Sequence, residues 1–201
     1  MMSYICGIDE AGRGPLAGPV TAAALILGET TPRELLVDSK KLSPRRRELA
    51  AAEIRRSAVA WGVGWVDHRE IDAINIHRAA LLAMRRAFAA VTLTLRSRGL
   101  ESIPLSRVLV DGAYTPELPS PVPVEAIVGG DALIPEISGA SILAKTARDR
   151  WMVEQEARYP GYAFGVHKGY PTKAHKRSIE EHGPSPIHRL SFRLPRSRSV
   201  S

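Results

Sequence analysis

Cysteine is almost missing from this chain: Cys6 is the only one in 201 residues. A lone thiol closes no internal disulfide, and Cys6 lies in a short apolar run. It is therefore expected as a small core residue in a reducing compartment, not as a nucleophile. Long apolar stretches are missing as well. No segment approaches the roughly 18 uninterrupted apolar residues of a membrane helix, so no membrane partner is expected. Met1 to Gly7 carries no basic segment leading into a long apolar one, and Asp9 interrupts the run at once. An export leader is not expected, and the cytoplasm is the expected location. Six histidines are present, but they have neither cysteine partners nor a short His-x-x-x-His pair. A zinc site is thereby disfavoured, and His167, His175, His182 and His188 are expected as loop or core residues.

Internal repeats and linkers are also missing. The length suits one domain, here residues 1–194, followed by a polar, basic tail at 195–201 that is expected to be disordered. Apolar residues make up 44% and charged residues 24%, so a packed globular fold is expected. Twenty-eight Lys and Arg against twenty-one Asp and Glu leave a formal charge of +7. That balance suits a polyanion such as nucleic acid, although a solvated basic face would give the same count.

The apolar patterning alternates between two periods. Tyr4 to Ile8 and Val20 to Leu27 read as a hairpin-like pair of strands around a Gly- and Pro-rich loop. Arg45 to Arg56 has Leu49, Ala50 and Ile54 on helical spacing, with Ser43 as N-cap and Pro44 as first helical residue. Ala60 to Val66 alternates as a third strand, close-packed at Gly62 and Gly64. Ile71 to Leu95 reads as one long amphipathic helix. Arg107 to Val110 and Val122 to Val128 read as strands ending on Asp111-Gly112 and Gly129-Gly130-Asp131. Ile137 to Tyr159 and Thr172 to His182 read as helices. The order predicts an α/β fold: a mixed sheet of about five strands flanked by helices, with a helical C-terminal part.

Asp9 with Glu10, Asp111 and Asp131 each follow a short apolar strand, and the ends of strands are where α/β proteins assemble sites. Gathered carboxylates repel one another. A hard divalent cation such as Mg²⁺ or Mn²⁺ relieves that repulsion and keeps coordination positions for water and phosphate oxygens. Any single Asp-Gly is more readily explained as a turn or a helix cap. Neighbours in a strand also face opposite sides, so Asp9 and Glu10 share a site only if the chain bends or one contributes its carbonyl. The glycines of Gly12-Arg13-Gly14-Pro15 allow close backbone approach to a ligand, and Arg13 suits phosphate. A phosphate-binding P-loop is excluded, because Arg13-Gly14 stands where Lys and then Ser or Thr are required.

The run Gly7-Ile8-Asp9-Glu10-Ala11-Gly12-Arg13-Gly14-Pro15-Leu16-Ala17-Gly18-Pro19-Val20 resembles the signature of the ribonuclease HII family. Further matches follow in order: Asp38 to Ser43, Asn75-Ile76, Val110-Asp111-Gly112, Gly130-Asp131, Ala140 to Lys145, Arg148-Asp149-Arg150, His167 to Tyr170, and His188-Arg189. The resemblance spans nearly the whole chain. It implies a ribonuclease H-like fold whose four carboxylates, matching Asp9, Glu10, Asp111 and Asp131, hold two divalent ions, Mn²⁺ or Mg²⁺.

In the family the glycine loop, here Gly12, Arg13 and Gly14, reads the ribose 2′-hydroxyl, which only RNA carries. A tyrosine matching Tyr170 stacks on the following sugar. Lys40, Lys41, Ser141, Lys145 and Lys168 fall where family members touch phosphates. The implied activity is hydrolysis of the RNA strand of RNA–DNA hybrids and incision of duplex DNA 5′ of an embedded ribonucleotide. A metal-activated water would leave 5′-phosphate and 3′-hydroxyl ends. A monomer is implied, and a replication clamp docking on the tail is an open question. Two departures stand out: Gly129 where lysine is common, and a slightly long segment from Thr115 to Pro123. The sibling type HIII carries a lysine in the glycine loop and an added N-terminal domain, and neither is seen here. The competing readings are a junction resolvase with a similar acidic site and a catalytically silent hybrid-binding protein. The first gives no reason for the glycine loop; the second gives none for four retained carboxylates.

Overall fold

The computed structural model describes residues 3–36, 39, 41–120 and 122–197. Asp38 and Lys40 of the basic motif, Pro121 of the proline-rich segment and the last four tail residues lie outside the described residues.

Five strands form one sheet in the order β3-β2-β1-β4-β5. They are β1 (Tyr4–Ala11), β2 (Val20–Ile26), β3 (Ala60–Val66), β4 (Leu105–Asp111) and β5 (Val124–Ile127). The first two pair antiparallel, as do β2 and β3, whereas β1 pairs parallel with β4 and β4 with β5. The expected mixed sheet is thus present. Every residue of β2 is buried, which explains why it reads as a continuous apolar run; helices cover both of its faces.

On one face Ile8, Ala22 and Ala24 pack against α3 (Ile76–Ser97) through Ala83, Met84, Ala87 and Phe88. On the other, Ala23 and Leu25 pack against Ala50, Ala51 and Ile54 of α1 (Pro44–Ser57) and Ala140, Leu143 and Ala144 of α5 (Pro135–Arg158). Small residues on both partners bring the layers close. A Cβ on Gly62 or Gly64 would collide with the carbonyls of Ala87 and Ala83, so β3 lies directly against the α3 backbone.

Ser43 caps α1 as expected, its side chain accepting from the Arg46 amide at 3.4 Å. Leu49, placed on the apolar stripe by its spacing, is instead 64% exposed. Arg47 takes part of the buried face, since its guanidinium is occupied by Ser39 O, Leu42 O and Asp149.

The long helix expected over 71–95 is two helices, α2 (His68–Ile74) and α3, broken at Asn75 with φ 68°. Asn75 ends the first and starts the second: its amide donates to Ile71 O, and its side chain accepts from the amides of His77 and Arg78. Asp67 and Glu70 form a capping box ahead of α2.

Strand β5 ends before its aspartate. Asp131 lies in the first turn of the short helix α4 (Gly130–Leu133), entered through Gly129 at φ 69°. The C-terminal part adds α6 (Phe164–His167) and α7 (Lys173–His182). Tyr162, Phe164 and Ile187 there pack with Ala17 and Met152 in a third cluster. Among the described residues no helix is long and apolar enough to cross a membrane.

Candidate active site

Asp9 and Glu10 sit inside β1, whose register with β2 runs unbroken past them to Ala11, so the strand does not end at the acidic pair. Alternation sends Asp9 toward α5 and Glu10 toward the opposite face. Both nevertheless line one cavity of about 260 Å³, together with Gly12, Arg13, Gly14, Ser39, Asp111, Asp131, Ser141, Lys145 and Tyr170. The cavity lies where β1 and β4 leave the sheet, so it reaches around the sheet's end.

Within it, Asp9 Oδ1 accepts the Glu10 amide at 2.7 Å, and Asp111 Oδ1 accepts the Asp131 amide at 3.3 Å. Arg13 Nη1 lies 3.3 Å from Glu10 Oε1. Glu10 Oε2 is buried with no hydrogen-bond partner. These links run in pairs: among the described residues no three acidic, cysteine or histidine side chains meet at one point.

The electrostatics are those of crowded carboxylates. Burial pushes the Asp9 carboxyl well above its ordinary range, the charges of Glu10 and Asp111 add to the rise, and a Ser141 hydrogen bond opposes it. Burial also raises Glu10. Arg13 draws it back, and Asp111 adds to the rise. Protons or cations are therefore favoured here.

The glycine loop joins β1 to β2. Gly12 takes φ 98°, and a Cβ there would meet the Arg148 guanidinium and Pro19 O. Gly14 faces Tyr170, whose Cε1 would lie 3.8 Å from an added Cβ. The structure thus brings Gly12, Arg13, Gly14 and Tyr170 together beside the carboxylates.

The residues expected at phosphates divide. Lys145 lines the carboxylate cavity, and with Lys168 and Tyr170 it also lines a larger adjoining groove of about 480 Å³. Lys145 Nζ bonds Asp149 Oδ1 at 2.8 Å, and Lys168 Nζ donates to Gly165 O. Ser141 is buried between Asp9 and the Ser39 hydroxyl, 2.9 Å away. Lys41 is exposed at a separate hollow shared with Asp131.

Sequence reasoning missed three groups. Asp149 bridges Lys145 and Arg47, the latter at 3.0 Å. Arg148 and Arg189 are wholly buried beneath the glycine loop. Burial lowers them to about 10 and about 9, respectively. Their motifs are visible in the sequence, but nothing local marks an arginine for burial. Of the four histidines expected as loop or core residues, His167, His175 and His188 are buried below the Tyr170 loop, with His167 stacked on His175 and His188 tilted against His175, while His182 is exposed at the end of α7.

This arrangement of sheet and helices is a ribonuclease H-like fold. It is shared with the ribonuclease H2 of Pyrococcus horikoshii (TM-score 0.68, 25% identity, 94% of this chain and 93% of that one). It is shared also with the ribonuclease HII of Archaeoglobus fulgidus, solved in a complex with PCNA (TM-score 0.70, 26% identity, 92% of both chains). Bst-RNase HIII in complex with Mn²⁺ shares the fold at 16% identity, with a TM-score of 0.72 over 94% of this chain and 67% of that one.

A family model for ribonuclease HII matches residues 6–194. Curated ribonucleases HII from Halorhodospira halophila and Laribacter hongkongensis are 56% and 52% identical, over 94% of this chain and 91% and 90% of theirs. The chain belongs to the ribonuclease HII family and is an endonuclease of the ribonuclease H class.

Proposed function

We propose that this enzyme hydrolyses the RNA strand of RNA–DNA hybrids and incises duplex DNA 5′ of an embedded ribonucleotide, leaving 5′-phosphate and 3′-hydroxyl ends. The observation that carries the reading is the single cavity in which Asp9, Glu10, Asp111 and Asp131 adjoin the Gly12–Gly14 loop and Tyr170. Carboxylates alone would serve other nucleases. A backbone loop beside an aromatic ring adds a place to read a sugar.

The site's donor chemistry fits a hard divalent cation: the side-chain donors are carboxylate oxygens, one of them Glu10 Oε2, buried and unpartnered. Asp9, Glu10, Asp111 and Asp131 would hold Mn²⁺ or Mg²⁺. Two such ions, when bound, supply an activated water and charge stabilisation of the leaving oxygen.

The chain's own groups position the substrate. Arg13 and Gly14 offer amides to the 2′-hydroxyl, and Tyr170 stacks on the next sugar. Lys145 and Lys168 meet phosphates along the adjoining groove, with Lys41 and Ser141 in lesser contact. Residues 1–194 act as one monomeric domain in the cytoplasm. The PCNA complex of the A. fulgidus relative makes a replication clamp the proposed protein partner.

The test incubates the protein with labelled duplex DNA carrying one ribonucleotide, with an RNA–DNA hybrid and with plain DNA, each in Mg²⁺, Mn²⁺ or chelator. Metal-dependent cuts immediately 5′ of the ribonucleotide, with plain DNA spared, are expected. Intact ribonucleotide substrates in every metal would instead favour a silent hybrid binder.

A further inference from the structure

Arg148 of α5 and Arg189, beyond α7, are charged yet fully buried, and neither forms a salt bridge among the described residues. Backbone carbonyls take the place of carboxylate partners. Arg189 donates from Nη2 to Gly12 O at 2.6 Å and Pro19 O at 3.0 Å, from Nη1 to Arg13 O at 3.0 Å, and from Nε to Gly18 O at 2.9 Å. Arg148 donates from Nε to Pro19 O at 2.9 Å, from Nη2 to Ala17 O at 3.1 Å and from Nη1 to Lys168 O at 3.0 Å. Burying two like charges this way is costly, and packing alone would be served by apolar side chains.

The carbonyls they hold belong to two segments, the loop between β1 and β2 and the turn leading to Tyr170. One backbone link, Leu16 N to Gly169 O, joins the same two segments, and two more, Arg189 N to Leu16 O and Gly18 N to Ile187 O, tie the loop to the segment that carries Arg189, each 2.8 Å. With the carbonyls of Gly12 and Arg13 drawn down onto Arg189, the amides of Arg13 and Gly14 have no acceptor among the described residues. Gly12 lacks a Cβ where one would strike the Arg148 side chain, so that glycine is needed to let the arginine pass.

We infer that Arg148 and Arg189 are positioning residues for ribose recognition: they clamp the glycine loop and the Tyr170 turn into one rigid reader, with loop amides outward. The inference rests on the recognition role proposed above for Gly12, Arg13, Gly14 and Tyr170. A guanidinium is required, because it alone presents a planar fork of donors to several fixed acceptors; a lysine keeps the charge but loses that geometry. Asp72 supports the clamp from outside, its carboxylate accepting from Leu190 N, Ser191 N and Ser191 Oγ at 2.9, 2.9 and 2.6 Å.

The test compares affinities, by fluorescence anisotropy in chelator, for a DNA duplex with one ribonucleotide and for the same duplex in DNA alone. The proteins are the parent, Arg148→Lys, Arg189→Lys and Asp72→Ala, each checked for folding by circular dichroism. Asp72→Ala leaves the buried arginines in place and so guards against a variant that fails to fold. The parent is expected to prefer the ribonucleotide duplex. The lysine variants should lose that preference by about tenfold, equivalent to about 1.4 kcal/mol, while plain-duplex affinity stays within about twofold. Asp72→Ala should fall between. A preference kept by all three variants, or a parallel fall in both affinities, overturns the clamp. A parent without preference strikes at the recognition reading itself.

Discussion

The Nε2 atoms of His175 and His188 lie 3.0 Å apart under the Tyr170 turn, and their neighbours decide which one carries the proton. His188 Nδ1 accepts the Ser185 amide at 2.8 Å, which leaves its proton on Nε2. That N–H donates to His175 Nε2, and His175 Nδ1–H in turn donates to Tyr170 O at 2.9 Å. A further proton would set two N–H groups against each other.

Burial lowers both histidines to about 4 from an ordinary 6.5. Between those values the unfolded chain binds more protons than the folded one, so stability rises with pH across the window and is lost as pH falls from 6.5 toward 4. Because the raised carboxyls of Asp9 and Glu10 oppose this dependence, melting temperatures are compared from pH 7 to 4.5 in an Asp9→Asn/Glu10→Gln background, where they should drop through this range. Incision by the parent at pH 5 should decline with the structure around Tyr170. A melting temperature flat across the window would refute the neutral pair.

The sheet was legible because period-2 and period-3.6 patterns survive in β3, α1 and α5 even where alanine replaces larger side chains. The break at Asn75 was not, since the apolar spacing of Ile71, Ile74 and Ala80 continues across it and masks the left-handed residue between. The four-residue helix that carries Asp131 is too short to impose a period. The acidic residues and the glycine loop were visible as sequence-local motifs. Arg148 and Arg189 were not, because their partners lie 129 and 177 residues away in the contacts to Pro19 and Gly12. Burial of a charge is a property of the assembled fold.

Gly64 tests how closely helix and sheet are pressed together. A methyl group there meets Ala83 O, the Ala87 amide and Arg86 Cβ, and two of those atoms belong to a helical backbone that cannot step aside. Gly64→Ala is expected to destabilise by about 1–3 kcal/mol, lowering the melting temperature by about 2–4 °C for each kcal/mol. The rate of incision per folded molecule should be unchanged, since β3 is two strands from β1. Calorimetry paired with single-turnover cutting separates the two effects. An unshifted melting temperature would show that the layers are not so tightly apposed.

Lys145 stands between the carboxylate cavity and the larger groove, its Nζ 5.4 Å from the Tyr170 ring centroid and bound to Asp149. As a phosphate contact it would contribute affinity without reading sequence or sugar. Lys145→Ala should weaken binding of ribonucleotide-bearing and plain duplexes alike and reduce the slope of log K against log salt by about one unit. Asp149 keeps its pairing with Arg47 in that variant, so the groove wall should stay in place. Anisotropy titrations over a range of salt give the slope. An unchanged slope would remove Lys145 from the phosphate path.

Asp9 concentrates the conflict between stability and activity. Its carboxylate is buried, and the charges of Glu10 and Asp111 push its proton affinity up. The folded state then binds protons more readily than the unfolded chain, and each step up in pH above the ordinary carboxylate range costs stability. Asn at this position still accepts the Glu10 amide through Oδ1 but carries no charge. Asp9→Asn should therefore raise the melting temperature in metal-free buffer at pH 8, by about 2–4 °C if about 1 kcal/mol of repulsion is relieved. It should also abolish incision while retaining binding of the ribonucleotide duplex. The same substitution should flatten the parent's loss of stability as pH rises above the ordinary carboxylate range. A variant that melts lower than the parent in chelator would mean that the Asp9 charge is compensated within the fold, and the carboxylates would then have less need of a cation.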